Sequence, residues 1–372
     1  MRREPRRTMD VVFPGPEDPS PPYGRTAHPY FLHEMICSQP AAIHATVREA
    51  ARTAEGIPPP PAGRPLLFVG MGTSFHAALA SARAAGSAGL DGWCPRAIDS
   101  FDLFLEPELI RKAGGAIVFS SSGETALTLE AQRALGLAGV PQVLISGTKS
   151  SRSADLADHL LLTQAAVERA WVHTVSYTTA IAAALTLIRQ WSDDPAFDLP
   201  ELEPTLKDVV AREGEWKGLA EQLRDRGKVL VLGSGAAQAT AREAALKLRE
   251  GAHRFVAATG VEEFLHGVLP SVDASTAVLA VTTSPIDRKR AATALDAATR
   301  AGAKVALLRR GPASGAGFEY SLPAVATAVT PLTDIVPFQF LTYWLAVGEG
   351  RNPDVMGYDD PRIFAARRMY GI

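Results

Sequence analysis

The sequence predicts an α/β protein built from two tandem, doubly wound parallel sheets. Short, wholly apolar runs alternate with helical segments, and most of the runs stop at a turn rich in Gly, Ser or Thr. Strands of this kind, buried on both faces, are typical of parallel sheets covered by helices. The pattern also repeats, because Gly70 corresponds to Gly233 and Ser120 corresponds to Thr282. Two landmarks shifted by nearly the same distance indicate an internal duplication of about 160 residues.

The first half contains three such runs. They predict strands at 66–69, 116–119 and 142–145, with helices at about 74–85 and 125–138. A helix at about 29–53 precedes them, because apolar residues recur there at helical spacing. Four consecutive prolines at 58–61 follow this helix as a stiff, extended linker.

The second half repeats the pattern, with strands predicted at 229–232, 277–281 and 305–308. Helices follow the first two of these strands, and the second helix ends near Ala301. The elements divide the chain into a disordered or loosely docked tail (1–30), an N-terminal helix with its linker (31–62), a first sheet domain (63–195), a connecting helical segment (196–225), a second sheet domain (226–347) and a C-terminal tail (348–372).

Composition excludes several classes of function. The 38 Lys and Arg residues nearly balance the 40 Asp and Glu residues, so the net charge of −2 provides no general field for nucleic acid. Only Cys37 and Cys94 are present, which excludes a disulfide framework and a Cys-rich zinc site. Cys94 is expected to be buried. No apolar run is long enough for a membrane-spanning helix, and no apolar segment follows the basic N-terminus, so we expect a cytoplasmic protein with no membrane span.

The turn at 120–125 reads Ser-Ser-Ser-Gly-Glu-Thr and lies between a predicted strand and a predicted helix. Ligands of open α/β sheets bind at this kind of position, where N–H groups and the helix dipole favour an anion. Hydroxyl donors suit a phosphate group. The alternative is that such residues merely cap the helix, but the neighbouring Gly-rich turn at 70–74 favours a ligand.

The matching turn of the second half reads Thr-Thr-Ser-Pro-Ile-Asp at 282–287. Pro285 has no N–H to offer, and Asp287 places a negative charge where an anion would bind. We therefore expect the first half to bind phosphate and the second half not to.

The second half has acid–base candidates instead. Glu243, Lys247 and Glu250 share one face of the helix that follows Gly235. Such a stripe is commonly a solvated salt-bridge face, and His266 is by itself compatible with an ordinary loop residue. Spacing alone does not distinguish a catalytic face from a solvated salt-bridge face.

Six segments together resemble the sugar-isomerase (SIS) domain family, and in particular the isomerase half of the glucosamine-6-phosphate synthases. They are GTSFHA at 72–77, SSSGET at 120–125, EAALKLRE at 243–250, EFLHG at 263–267, HEMICSQPAAI at 33–43 and DDPR at 359–362. The resemblance covers about residues 30–372 and includes the duplication.

The resemblance implies SIS subdomains, a sugar-phosphate substrate, no metal or other cofactor, and a homodimer with shared active sites. It implies that Glu250 moves a proton between C1 and C2, that Glu243 and Lys247 line the sugar pocket, and that His266 of a neighbouring subunit opens the sugar ring. The implied phosphate-binding residues are Thr73, Ser74, Ser120, Ser121, Ser122 and Thr125. A carboxylate and an imidazole suit this chemistry, since an aldose–ketose conversion requires proton transfers alpha to a carbonyl or imine.

The sequence departs from the synthase pattern at three places. It lacks a match to the glutamine-hydrolysing domain, so we expect ammonia chemistry without an intrinsic glutaminase, or with a separate glutaminase as partner. A lysine of the family's C-terminal tail is replaced by Ala366, with Arg367 next to it. A Ser-Thr-Lys segment between the halves is replaced by His-Thr-Val at 173–175. His173 and Arg367 are therefore candidate sugar contacts.

The leading hypothesis is an isomerase/deaminase of an amino-sugar phosphate. Three alternatives remain: a deglycase of fructosamine phosphates, the synthase subunit of a split aminotransferase, and a non-catalytic sugar-phosphate sensor. Retention of Glu250 argues against the sensor, because a sensor needs the phosphate site but no base.

Overall fold

The computed structural model describes residues 25–87, 92–164, 168–192, 194–199, 201–313, 315, 317–367 and 369. Most of the predicted tail, from Met1 to Gly24, therefore lies outside the described residues.

Helices and strands alternate along most of the chain. The helices are α1 (Phe31–Ala54), α2 (Thr73–Ser87), α3 (Asp102–Leu105), α4 (Pro107–Lys112), α5 (Ala126–Leu137), α6 (Val175–Ser192), α7 (Leu202–Ala211), α8 (Glu213–Leu223), α9 (Ala237–Ala252), α10 (Val261–Glu263), α11 (Pro285–Arg300), α12 (Thr330–Gly348) and α13 (Pro361–Arg367). The strands are β1 (Arg64–Gly70), β2 (Trp93–Asp99), β3 (Gly115–Phe119), β4 (Gln142–Ser146), β5 (His159–Leu162), β6 (Lys228–Leu232), β7 (Phe255–Thr259), β8 (Thr276–Val281), β9 (Lys304–Arg309) and β10 (Phe318–Ser321).

The strands form two five-stranded parallel sheets within the described residues. The first sheet has the order β2-β1-β3-β4-β5, and the second has the order β10-β9-β8-β6-β7. Read from its other edge, the second sheet has the same winding as the first, since the first strand of each half pairs with both the second and the third. The predicted α/β fold with two tandem doubly wound sheets is confirmed.

The two halves also agree in backbone detail. A Cβ atom on Gly70 or Gly233 would meet the first turn of the following helix at 2.7 Å or 2.6 Å, so only glycine allows the helix to start this close to its strand. Two residues later, Gly72 and Gly235 both adopt left-handed backbone conformations, with φ of +54° and +56°. The strand-to-helix turn is thus the same structure in both copies.

One continuous apolar core joins the halves. It contains the inward side chains of both sheets together with α1, α2, α6, α9 and α12, while smaller clusters cover the outer faces under α4 and α5 or under α11. Neighbouring residues of β1 illustrate the division, since Phe68 faces the shared core and Leu67 faces the outer cluster. The buried face of α2 consists almost entirely of alanine, and its small side chains allow α9 to pack closely against it.

The segments before α1 and after α12 both contact this core. His28 and Tyr30 approach the hydroxyl of Tyr343 on α12, at 2.6 Å from the His28 Nδ1 atom and 3.1 Å from the Tyr30 N–H. At the other end, the Trp171 N–H donates a hydrogen bond of 2.8 Å to the Asp354 carbonyl oxygen, which fastens the segment after α12 to the loop before α6. Among the described residues, no helix has the length and hydropathy needed to cross a membrane.

The prediction that Cys94 is buried is wrong. Cys94 is exposed. It lies in β2, an edge strand whose side chains alternate between half-buried and exposed, and Cys94 takes an exposed position. The neighbouring bulky Trp93 does not cover it.

Candidate active site

The predicted phosphate turn lies at the point where the strand order of the first sheet reverses. In the sheet, β1 lies between β2 and β3, and these two strands come after it along the chain. The loops after β1 and β3 therefore diverge and leave a crevice at the carboxyl ends of these strands, where ligands of doubly wound sheets bind. These loops contain the Gly-rich turn at 70–74 and the Ser-rich turn at 120–125.

Several donors in this crevice have no partner. The Ser120 side chain is buried, and its Oγ atom has no hydrogen-bond partner among the residues that the structure describes. Within the described part of the chain, the backbone N–H groups of Ser121, Ser122 and Thr125 also have no acceptor. Buried polar groups are normally satisfied, so this turn offers donors to an oxygen-rich ligand. We name this crevice the hydroxyl cradle; its lining residues are Thr73, Ser74, Ala77, Phe119, Ser120, Ser121, Ile145, Ser146, Gly147, Thr163, His173, Ser176, Tyr177 and Ala180.

Two of the predicted phosphate residues have other local roles. Ser122 is exposed, and its Oγ atom accepts a hydrogen bond of 3.2 Å from the Glu124 N–H. Thr125 directly precedes α5, and its side chain makes no capping hydrogen bond. Neither residue lines the hydroxyl cradle with its side chain, although the N–H groups of both remain available. Gly123 allows the bend between them, because its φ is +69° and a Cβ atom would lie 2.1 Å from Ser151 Oγ.

In the corresponding turn of the second half, a side chain of the turn itself, Asp287, occupies the backbone N–H groups. The Asp287 carboxylate accepts hydrogen bonds from the Thr283 N–H at 2.8 Å and from the Ser284 N–H at 2.7 Å. Ser284 in turn caps α11 by accepting from the Asp287 N–H. The N–H groups that an anion would use are therefore already occupied in this copy.

The Glu–Lys–Glu face of α9 is buried. Glu243 and Lys247 are 0% and 1% exposed, and Glu250 is 14% exposed. Lys247 Nζ lies 2.6 Å from Glu250 Oε2 and 3.4 Å from Glu243 Oε1. The alternative of a solvated surface stripe is thereby excluded, since such a stripe requires exposed side chains.

The buried charges compensate one another. Burial alone raises the pKa of a carboxyl group, but Lys247 and His76 beside Glu243 hold its pKa below the ordinary value. Burial likewise opposes the charged form of Lys247, yet Glu243 and Glu250 raise its pKa above the ordinary value. We conclude that Glu243 and Lys247 form an ion pair at neutral pH.

Residues of α2 connect this face to the hydroxyl cradle. Thr73 Oγ1 accepts a hydrogen bond of 3.0 Å from Lys247 and donates one of 3.3 Å to Glu243. His76 Nδ1 lies 2.7 Å from the other oxygen of Glu243. Sequence reasoning missed this role of His76; the available signal was its position one helical turn after Thr73, on the same face of α2.

The start of α6 forms another wall of the hydroxyl cradle. Glu168 holds it in place, because its carboxylate accepts hydrogen bonds from the Val175 N–H at 3.1 Å and the Ser176 N–H at 2.9 Å, and also from Thr174. The predicted sugar contact His173 lines the hydroxyl cradle and lies 3.3 Å from Ser176 Oγ. Tyr177, which sequence reasoning passed over, also lines it, and its hydroxyl has no partner.

Two predicted residues lie away from this cluster within the chain. His266 is 79% exposed and lies in a short π-helical segment (Phe264–Val268), 3.5 Å from Glu262. Arg367 contacts the Tyr358 hydroxyl, and its guanidinium stacks over the rings of Trp171 and Tyr358 at 5.0 Å and 4.6 Å from their centres. Arg367 thus lies near the segment that carries His173. Across the described residues, no group of three or more His, Cys, Asp or Glu side chains is arranged to hold a metal ion.

Comparisons with known proteins agree with this fold. The glutamine–fructose-6-phosphate aminotransferase (isomerizing) of Pyrobaculum aerophilum is 29% identical over 347 residues, which cover 88% of this chain and 56% of the relative. The chain therefore spans little more than half the length of that relative.

Solved structures that share the fold include two relevant examples. The C-terminal domain of the glucosamine-fructose-6-phosphate aminotransferase from Francisella tularensis has a TM-score of 0.73 and 21% identity, with 88% of this chain and 98% of that chain covered. A structure described as glucosamine-6-phosphate deaminase from Thermotoga maritima has a TM-score of 0.67 and 20% identity, with 87% and 96% covered. Residues 222–347 match the family model described as SIS domain. The second sheet and its helices are therefore similar to a SIS domain.

Proposed function

We propose that this protein isomerises a phosphorylated amino sugar by moving a proton between C1 and C2 of the open-chain form. One observation carries the proposal: the buried Glu243–Lys247–Glu250 face lies against the hydroxyl cradle and is joined to it through Thr73. A buried cluster of ionisable groups beside an anion-binding turn is typical of a catalytic site.

The cradle binds the phosphate group in this proposal. Its donors are the side chains of Ser74, Ser120 and Ser121 and the free N–H groups of the same turn. Neutral donors at a helix N-terminus suit a phosphate dianion, since the helix dipole adds to the hydrogen bonds. A sugar bound by its phosphate in this crevice extends towards α9.

Glu250 is the proposed base. It is the most exposed carboxylate of the buried face, and the hydrogen bond of 2.6 Å from Lys247 fixes its orientation. For an amino-aldose phosphate, Glu250 removes the proton from C2 and returns it to C1. The resulting C2 imine is hydrolysed by water, which yields a ketose phosphate and ammonia. The same proton transfers run in reverse convert a ketose phosphate and ammonia into the amino sugar.

Ring opening is assigned to His266 of a second subunit, so the functional unit in this proposal is a homodimer. In its own chain the imidazole is exposed and contacts Glu262, which leaves it available to a neighbouring active site. The relative from Pyrobaculum aerophilum is named for fructose 6-phosphate and for amino-group transfer, which supports a phosphorylated hexose and its amino derivative as the substrates.

The test is an assay of the purified chain with glucosamine 6-phosphate (ammonia release), with fructose 6-phosphate plus ammonium, and with fructosyl-amino-acid phosphates. We expect turnover of the first two, and expect Glu250→Gln to lower kcat at least 100-fold because one general base contributes roughly 10²–10⁴-fold. Glu221→Gln changes an exposed glutamate of α8 in the same way and should keep full activity.

The remaining outcomes separate the alternatives. Turnover of fructosyl-amino-acid phosphates alone indicates a deglycase. Activity that appears only with glutamine and a co-purifying glutaminase indicates the synthase subunit of a split enzyme. Binding of sugar phosphates without turnover in any assay contradicts the proposal and indicates a sensor.

Subunit mixing tests the shared site. Glu250→Gln and His266→Asn should each be inactive alone, whereas mixed dimers should regain activity, because one of their two sites carries neither substitution. If mixing restores nothing while each variant still dimerises, His266 does not serve a neighbouring subunit.

A further inference from the structure

Two side chains that line the hydroxyl cradle carry buried hydroxyl groups. Ser120 is 3% exposed and Tyr177 is 1% exposed, and the described residues offer no hydrogen-bond partner to Ser120 Oγ or to the Tyr177 hydroxyl. Both side chains line the same crevice. An unsatisfied buried hydroxyl destabilises a protein, so a pair of them in one pocket calls for a partner that both can reach.

The surroundings of Tyr177 make its hydroxyl a donor. Burial, followed by the carboxylates of Glu243 and Asp334, holds the pKa of this hydroxyl well above the ordinary value. The phenol is therefore protonated at neutral pH. Its position is also fixed, since the carboxylate of Glu168 anchors the first turn of α6, in which Tyr177 lies.

The rest of the crevice indicates what the partner must be. None of the residues that line the hydroxyl cradle is a lysine or arginine, and its polar side chains are mainly hydroxyls. A ligand bound here must supply several acceptor oxygens and must not depend on a cationic side chain for its charge. A phosphate monoester meets this requirement with its terminal oxygens.

We propose that Tyr177 and Ser120 are paired donors to the phosphoryl oxygens of the bound sugar phosphate, and that Tyr177 makes the cradle selective for phosphorylated sugars. This inference rests on the proposed function, since it concerns the same site. A site built around buried donors strongly rejects a ligand that lacks the matching acceptor, because the donors then remain unpaired. An unphosphorylated amino sugar should therefore bind far more weakly.

The test compares Tyr177→Phe with wild type in thermal-shift and calorimetric titrations, using inorganic phosphate, glucosamine 6-phosphate and glucosamine as probes. Removal of an unpaired buried hydroxyl should leave the Tm of the free protein unchanged or slightly higher. The Kd for both phosphate-containing probes should rise about tenfold, as expected for loss of a hydrogen bond to a charged group.

Tyr343→Phe is the matched control. The Tyr343 hydroxyl has partners at His28 and Tyr30, and Tyr343 is not one of the residues that line the hydroxyl cradle. This variant should lower the Tm of the free protein and leave the Kd for phosphate unchanged. Ser120→Ala and the double variant complete a double-mutant cycle. If both hydroxyls bind the same phosphoryl group, their contributions to the binding free energy should be non-additive.

Each outcome decides between the two proposals. If Tyr177→Phe lowers the Tm of the free protein and binds phosphate as wild type does, the hydroxyl is structural and the inference is wrong. If wild type binds none of the phosphate-containing probes, the proposal that the hydroxyl cradle binds phosphate is wrong. If wild type binds them through Tyr177 but turns over no substrate, the inference stands and the proposed function fails.

Discussion

Lys247 on α9 donates a hydrogen bond of 3.0 Å to the Thr73 hydroxyl at the start of α2. This bond links the two halves of the duplicated fold. Thr73 follows β1, the first strand of the first half, and Lys247 lies in α9, which follows β6, the first strand of the second half. The bond joins the hydroxyl cradle, which Thr73 lines, to the Glu–Lys–Glu face of α9. In the proposed function the duplication supplies a composite site: the first copy provides the donors for phosphate, and the second contributes the ionisable side chains.

Replacement of Lys247 by methionine should destabilise the protein strongly. The substitution leaves two buried carboxylates, Glu243 and Glu250, without their cation, and removal of one partner from a buried ion pair costs about 3–5 kcal/mol. Urea unfolding of Lys247→Met measures the loss. Lys207→Met is the matched control, since Lys207 is 64% exposed in a surface pair with Glu203 and should change the free energy of unfolding by less than about 1 kcal/mol. Equal effects of the two substitutions would contradict the assigned burial.

The stabilisation from Glu243 should depend on pH in a defined direction. Its pKa in the folded protein lies below the ordinary value of 4.5, so the unfolded chain takes up the proton first as the pH falls. The contribution is therefore fully present above about pH 4.5 and is lost as the pH falls through the folded pKa. We expect the difference in unfolding free energy between wild type and Glu243→Gln to stay constant above that pH and to shrink below it. A difference that grows on acidification would show that the carboxyl is protonated in the folded state.

The interior of both sheets could be predicted from the sequence, whereas their edges could not. The six predicted strands are the central strands β1, β3, β4, β6, β8 and β9, and the four that were missed are β2, β5, β7 and β10, which form the sheet edges. A central strand is buried on both faces and so reads as an apolar run. An edge strand is partly exposed and carries residues such as Pro95 and Arg96, which break that pattern and also protect the edge.

The candidate site shows the same limit. Helical spacing placed Glu243, Lys247 and Glu250 on one face, but their burial depends on the packing of α9 against α2, which no local pattern encodes. The contact between His76 and Glu243 depends on the same packing. Tyr177 could not be predicted for a different reason: a tyrosine in an apolar helix has the pattern of a core residue. That its hydroxyl lacks a partner among the described residues can be recognised only in the structure.

Glu168→Gln should weaken substrate binding more than it slows the chemical step. The amide places an NH₂ group where the carboxylate accepts N–H bonds from the first turn of α6, and it removes a charge that favours the helix N-terminus. That turn carries Tyr177 and is preceded by His173, so both should lose their fixed positions. We expect a several-fold rise in KM for the sugar phosphate with kcat within about twofold. Glu201→Gln, at the start of α7 and without a side-chain cap bond, should change neither constant; a fall in kcat alone for Glu168→Gln would contradict a positioning role.

Asp287→Ala should lower stability without affecting the active site. The Asp287 carboxylate satisfies the N–H groups of Thr283 and Ser284 at the start of α11, and loss of a capping side chain costs about 0.5–2 kcal/mol. This turn corresponds to the proposed phosphate turn of the first half, but its N–H groups already bind the Asp287 carboxylate. KM for the sugar phosphate should therefore not change. Asp296→Ala provides the comparison, since Asp296 is an exposed residue of the same helix and its loss should alter stability little. An increase in KM for Asp287→Ala alone would mean that the second turn takes part in substrate binding, and the division of roles between the two halves would then be wrong.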